Sequence, residues 1–250
     1  MEKIMIINSG SSSLKFKLFN NETHETLASG IIERIGIHGS KIKVKYGDGQ
    51  KYELDHEITN HLQGIELLLN VLKELNLIAD LSEIKGIGHR VVAGGEYFSQ
   101  PVVVDNDVIA KIKELAELAP LHNPANLNGI KAFRKYLPNA LSVAVFDTAF
   151  HQTLPQENYM YSTPYEWYEK YGVRRYGAHG ISHEYVARKA AELMGRPFED
   201  LKLITCHLGA GASITAVKHG RSFDTSMGFT PLSGIQMATR AGDVDISLAN

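Results

Sequence analysis

The sequence predicts an α/β protein of mixed sheets covered by helices, with one sheet motif used twice. Three observations carry this expectation. Strand-like segments crowd the first fifty-odd residues, helices and strands then alternate, and at Leu203 the opening plan starts again. The length of 250 residues holds one large or two modest domains with a substantial core.

The first strands come from Ile4–Ile7 and from Leu14–Phe19, where Leu14, Phe16 and Leu18 alternate with lysines. Between them, Asn8 to Ser13 supplies one glycine, four serines and an asparagine, a connection longer and more polar than a hairpin requires. Its amides and hydroxyls suit an anion, though the stretch by itself fits a solvated serine-rich turn slightly better. A strand near Ala28–Arg34 and a hairpin turning at Gly47-Asp48-Gly49 follow. From Thr59, a plausible N-cap, the period becomes helical, with Leu62, Ile65, Leu68, Leu69 and Leu72 on one face. Next come a strand (IKGIGH), helices over Asn106–Leu118 and Ala125–Tyr136, and a strand (LSVAVF). Residues Tyr159 to Gly195 read as mostly helical. The segment LITCHLGAGASITAVKHGRSFDTS then repeats the strand, small-residue turn, alternating strand order of the N-terminus, with a third strand after His219-Gly220. In a duplicated domain the two turns would face each other across a cleft, and two phosphate loops suggest a nucleotide.

Composition removes several function classes. A formal net charge of -2 without a basic stripe argues against nucleic acid. No apolar run approaches a membrane span or a signal peptide. Cys206 is the single cysteine, which leaves no internal disulfide and fits a reducing, cytoplasmic setting. No G-x-x-x-x-G-K-[ST] is present, so a P-loop kinase is disfavoured.

Candidate functional residues stand just past the predicted strands, where open sheets bind ligands. His89 and Arg90 end one strand before Gly94-Gly95, and Asp147 ends another. Asp147 suits Mg²⁺, or an ordinary turn or cap. His179 and His183 are four residues apart, but no Glu follows the first and no third ligand is evident, which disfavours zinc. The better reading puts His179 in a loop before a helix capped by Ser182, free to hydrogen-bond an anion. Arg240 follows the Pro-containing loop FTPLSG, and a planar guanidinium holds two phosphoryl oxygens at once.

INSGSSSLKFKLF, GHRVVAGGE, PLHNPAN, VFDTAFHQTLP, RRYGAHGISHEYV, HLGAGASITAV, DTSMGFTPLSG and MATRAGDVD occur together and in order. In these the chain resembles the acetokinase family, within the superfamily of actin, sugar kinases and chaperone ATPases. The resemblance runs from residue 4 to the final residues and implies a duplicated actin-like (ribonuclease H-like) fold. It implies reversible, MgATP-dependent phosphorylation of acetate to acetyl phosphate by in-line transfer, with Mg²⁺ as cofactor and ATP or ADP as co-substrate. A propionate or butyrate kinase, or a non-catalytic nucleotide-binding module of the same fold, is the alternative.

By the same resemblance Asn8, Ser11, Ser13 and Lys15 belong to the first phosphate turn, with Asn8 near phosphate and Mg²⁺. Arg90 and Arg240 flank the transferred phosphoryl, Arg90 also serving the carboxylate. Asp147 holds the magnesium and its waters, and His179 hydrogen-bonds the transition state. His207, Gly209 and Gly211 lie in the second phosphate turn. His122 borders the cleft, and Val92, Leu121, Ala178 and Pro231 line the acyl pocket.

Three positions depart from the family pattern: Ala210 replaces an asparagine, Ala93 a histidine and Ala178 an aromatic. The last widens the pocket unless neighbours fill it. The expected organisation is a first lobe over 1–150, a mostly helical connector over 151–200, and the start of a nucleotide-binding second lobe over 201–250, incomplete because family members continue far beyond this point. Full-length members pair as homodimers through that further part, which leaves the oligomeric state of this chain open.

Overall fold

The computed structural model describes residues 1–249; Asn250, the last residue of the expected second-lobe segment, lies outside them. The chain forms two compact units, one from Met1–Val91 and Pro101–Val145, the other from Val92–Gln100 and Phe146–Asn250.

The first unit is built on a sheet of β1 (Lys3–Ser9), β2 (Ser13–Asn20), β3 (Thr26–Glu33), β4 (Lys41–Tyr46), β5 (Gln50–Asp55), β6 (Ile84–Val91), β7 (Val102–Val103) and β8 (Leu141–Phe146). The strand order is β5-β4-β3-β2-β1-β6-β8-β7. β1 to β5 pair as an antiparallel meander, and β1 also pairs in parallel with β6. Period-two alternation decides which side is core: Met5 and Ile7, then Leu14, Phe16 and Leu18, are buried, while Ile6 and the intervening lysines face outward. The buried face packs on helices α1 (His61–Glu74), through Ile65, Leu68, Leu69 and Leu72, and α3 (Asn123–Tyr136), through Phe133. Between these helices in sequence lies the shorter α2 (Asn106–Glu114), which tightens into a single 3₁₀ turn over Leu115–Glu117.

Two local expectations for this unit are corrected. Asn60, not Thr59, caps α1: its side chain accepts from Gln63 N at 3.0 Å, while Thr59 N donates to Gln63 Oε1 at 2.8 Å, a reciprocal pair. The Asn8–Ser13 stretch is not a long loop either. β1 runs through Ser9 and β2 starts at Ser13, so only Gly10–Ser12 turn.

In the second unit a 3₁₀ turn (Ala149–Thr153) leads to α4 (Gln156–Tyr159), α5 (Tyr165–Tyr171) and α6 (Gly180–Met194), then to β9 (Lys202–Leu208), β10 (Ala212–Lys218) and β11 (Arg221–Thr225). The three strands form an antiparallel sheet in the order β11-β10-β9. Phe150, Ala187, Ala191, Phe198, Leu201 and Val217 form a core cluster here. The region expected to be mostly helical is interrupted by an irregular segment between α5 and α6. Gly172 closes α5 in the left-handed conformation, and Arg175 ties the segment down by donating to the carbonyls of Asn158 and Thr225. The early segment Val92–Gln100 is woven into this unit: Gly94 N donates to Thr148 Oγ1 at 2.9 Å, and Phe98 stacks on Phe146 at 4.2 Å. No helix among the described residues is long and apolar enough to cross a membrane.

Candidate active site

The candidate residues fall on both units. In the first, the β1–β2 hairpin has its carbonyls tied back into the protein. Asn126 Nδ2 donates to Ser9 O at 2.6 Å, His61 Nε2 lies 2.7 Å from Gly10 O, Ile35 N donates to Ser12 O, and Gly10 N donates to Ser13 O. Asn8 pairs in register with Lys15; Ser11 and Lys15 are exposed, and Asn8 and Ser13 are half-buried.

Arg90 is half-buried near the end of β6, next to His89, which turns to the core and meets Phe133 edge-on at 5.8 Å. Burial pushes the His89 pKa down to about 4, so its ring is neutral and structural at neutral pH. His122 immediately precedes α3 and is exposed, as is Leu121, 78 % of whose surface faces solvent.

In the second unit the expected residues converge. Asp147 is buried directly after β8, and its carbonyl accepts from Gly180 N at 2.7 Å, pinning the start of α6. A Cβ on Gly180 would stand 2.3 Å from that carbonyl oxygen, so only glycine permits the approach. His179 is held in the left-handed region at φ 59°, a costly conformation for a side-chain-bearing residue that is retained where packing over-determines it. Ser182 does not cap α6. It lies inside the first turn, and its Oγ is 2.9 Å from His207 Nδ1.

The turn between β9 and β10 brings the other groups together. A Cβ on Gly211 would stand 2.8 Å from Arg240 Nη2 and 3.4 Å from His179 Cε1, so the guanidinium and the imidazole both lie against this turn. His207 stacks on His179 at 4.0 Å with ring planes 21° apart. Arg240 Nη1 donates to Pro231 O at 2.6 Å, and Ala238 N donates to Ala210 O at 3.1 Å, folding the later loop over the turn. Asp243 closes that loop through paired bonds with Gly234, a role nothing in its sequence context announced. Of the expected acyl-pocket residues, Val92 and Ala178 are buried and Pro231 is half-buried. Ala178 packs in a cluster with Ala212, Met227 and Met237, so methionines fill the space beside its methyl group.

A buried polar network underlies His179 that the sequence reading missed. Ser213 Oγ lies 2.9 Å from His179 Nδ1 and 2.7 Å from His183 Nε2, and His183 Nδ1 lies 2.7 Å from Thr205 Oγ1. The H-x-x-x-H spacing pointed to His183, but with both ring nitrogens engaged by hydroxyls the residue is built into the fold. His151 is equally buried, between Ser222 Oγ at 2.8 Å and the Ala178 carbonyl at 3.0 Å.

Burial lowers the pKa of His151 to about 4; burial and then the neighbouring histidines lower that of His183 to about 3. For both, the folded value lies below the unfolded one. Stability is therefore fully present above about pH 6.5 and is lost as pH falls from there toward these values. Urea unfolding of the second unit, followed by the single tryptophan Trp167 on α5, should show a loss of about 2 kcal/mol by about pH 5 from His151 alone. A midpoint flat between pH 7 and 5 would mean that these rings take up protons without unfolding.

Comparison with known proteins gives the family and the fold. The chain is 61% identical over 248 residues to an acetate kinase of Fructilactobacillus sanfranciscensis and 59% identical to one of Enterococcus faecalis, covering 99% of this chain in each case. It spans 62% and 63% of the length of those relatives. The crystal structure of Porphyromonas gingivalis acetate kinase superposes with a TM-score of 0.94 at 45% identity, over 99% of this chain and 63% of that one. A propionate kinase from Francisella tularensis follows at 0.93 and 44%, over 100% and 63%. The fold is thus the mixed α/β, actin-like fold of these kinases. The Acetokinase family profile matches residues 3–250, essentially the whole sequence, and the chain belongs to that family.

Proposed function

We propose that this chain carries the phosphoryl-transfer residues of an acetate kinase, converting acetate and MgATP reversibly to acetyl phosphate and ADP. The observation that carries the reading is the convergence of Arg240 and His179 on the Gly209–Gly211 turn, beside an α6 start pinned to Asp147. A carboxylate is already nucleophilic, so no general base is needed. One acetate oxygen bonds to the γ-phosphorus as the bond to the ADP oxygen breaks. The barrier lies in bringing two anions together and in stabilising charge on the equatorial oxygens. Arg240 offers its fork to those oxygens and His179 a ring N–H. Gly209 and Gly211 leave room for phosphate against the backbone, beside His207. Arg90 is assigned to the carboxylate and the transferred group, and Asn8, Ser11, Ser13 and Lys15 to nucleotide phosphate. His122 is assigned to the margin of the site.

Magnesium fits the chemistry of the donors assigned to it, the buried Asp147 carboxylate and the Asn8 amide, both hard oxygen ligands, and no group of three or more His, Cys, Asp or Glu side chains among the described residues is placed to hold a metal ion by itself. That suits an ion held mainly through substrate phosphates. Bound magnesium would neutralise phosphate charge.

Acetate is the assigned acid, and the packing of Met227 and Met237 in one cluster with Ala178 supports a small pocket. The test traps acyl phosphate with hydroxylamine, supplying acetate, propionate or butyrate, with this chain beside a version extended to the length of its relatives. Acetate is expected to be preferred over propionate by about 10-fold or more, within the roughly 10–200-fold that one methylene can confer. Preference for propionate would assign the chain to the kind of kinase represented by the Francisella protein. No product with any acid would leave a nucleotide-binding module.

A further inference from the structure

We propose that His61 is a positioning residue: by holding the Gly10 carbonyl it presents the Ser11 amide of the β1–β2 turn to an anion. Gly10 N donates to Ser13 O at 2.7 Å, so Gly10 and Ser13 enclose Ser11 and Ser12 in the layout of a two-residue hairpin turn. The return bond, from Ser13 N to the Gly10 carbonyl, ordinarily closes such a turn. Among the described residues that bond is not made. The carbonyl lies instead 2.7 Å from Nε2 of His61, the first residue of α1. A carbonyl only accepts, so the ring donates. Satisfying this oxygen does not require a histidine, because the Ser13 amide stands within the same turn. What the ring adds is a direction.

That direction sets the amide that follows. The Gly10–Ser11 peptide is planar and trans, so its N–H points opposite to its C=O. With the oxygen drawn toward α1, the Ser11 N–H faces away from that helix. The neighbouring peptides are fixed from other elements. Asn126 Nδ2 on α3 donates to Ser9 O at 2.6 Å, and Ile35 N, two residues past β3, donates to Ser12 O at 2.9 Å. Each of those bonds holds its own peptide, which leaves the Gly10–Ser11 unit to His61. Ser11 is exposed, and among the described residues neither its amide nor that of Ser12 has a protein partner. Successive amides left open in a turn make a concavity for an anion. The use of the Ser11 amide on nucleotide phosphate rests on the proposed reaction; its orientation rests on the hydrogen bonds.

Amide ¹H–¹⁵N NMR of this chain tests both parts, with inorganic phosphate titrated against chloride at matched ionic strength. In the wild type the Ser11 amide proton should move downfield with phosphate. His61→Phe keeps a ring but has no donor. The Gly10 carbonyl should then swing to Ser13 N, slowing exchange of the Ser13 amide with water. The phosphate affinity read at Ser11 should fall by about 10-fold, as for loss of one hydrogen bond to a charged group. His61→Gln, whose side-chain amide donates from nearly the same place, should restore both. In the trapping assay, in whichever form makes product, His61→Phe should raise KM for ATP by a similar factor. Turnover and KM for acetate should stay within a few-fold, a split that loss of stability alone does not produce. A wild-type Ser11 signal unmoved by phosphate would overturn the proposal. So would His61→Phe with wild-type Ser13 exchange and phosphate affinity, or His61→Gln that behaves like His61→Phe. Phosphate binding is read without turnover, so a chain that passes these tests and makes no product loses the reaction and keeps the positioning residue.

Discussion

Arg240→Ala is expected to lower turnover by about 10²–10³-fold while KM for ATP and for the acid changes by only a few-fold, as loss of one preorganised donor to a transition state does. The corresponding loss of transition-state stabilisation is about 3–4 kcal/mol. The geometry favours a rate effect over a folding effect. The loop bearing Arg240 is closed by backbone bonds that the substitution keeps: Met237 N to Arg240 O, Ala238 N to Ala210 O, and the Gly234–Asp243 pair. What is removed is a guanidinium anchored on the Pro231 carbonyl by one nitrogen, with another beside Gly211. Arg240→Lys should restore little, because an ammonium is a point charge and cannot hold two oxygens in one plane. The measurement is hydroxylamine trapping in whichever form makes product, this chain or its extended version. Turnover unchanged in Arg240→Ala would remove this residue from the reaction.

The second large effect is expected at Gly180. Alanine there would gain up to about 1 kcal/mol in helix propensity. Against that, its Cβ would meet the Asp147 carbonyl oxygen at 2.3 Å and Phe150 Cβ at 3.2 Å. The first obstacle is backbone, which no rotamer change relieves, and the 2.7 Å bond from Gly180 N stretches with it. Overpacking and the weakened bond together outweigh the propensity gain, for a net loss of about 2–3 kcal/mol. The start of α6 then moves off Asp147 and carries His179 with it. A shift of about 1 Å is enough to cost roughly 10²-fold in rate. Thermal unfolding and the trapping assay would both register the change. A Gly180→Ala protein with wild-type stability and turnover would show that the close approach is unimportant.

The parts of the fold that were legible in the sequence share one property: local periodicity agrees with tertiary burial. β2, with Leu14, Phe16 and Leu18 inward and Lys15 and Lys17 outward, could be read directly, as could α1 and the repeated hairpin after Leu203. The errors fall where a distant partner decides. The break between α5 and α6 depends on Arg175 reaching Thr225, fifty residues on. The Asn8–Ser13 stretch looked long because polar residues continue β1 at its edge, where period-two alternation alone cannot tell strand from loop. Asp147, His179 and Arg240 could be named from motif order, since each follows a recognisable strand or loop. The network beneath His179 could not, because Thr205 and Ser213 meet His183 across 22 and 30 residues of sequence.

The segment Val92–Gln100 has a consequence for how the molecule is made. It lies in sequence inside the first unit but packs in the second, so the chain passes between the units three times. Gly94 and its partner Thr148 are 54 residues apart. At synthesis rates of about 5–20 residues per second, the segment leaves the ribosome roughly 3–10 s before Thr148 and Phe146 exist to receive it. During that interval Phe98 has no ring to stack on and the Gly94 amide has no hydroxyl. Ending the chain at Val145 would leave the same gap permanently. A part made early and seated late leaves a loop of the first unit's sequence waiting on the second, and sets residues beyond Phe146 as the point in translation at which folding can close.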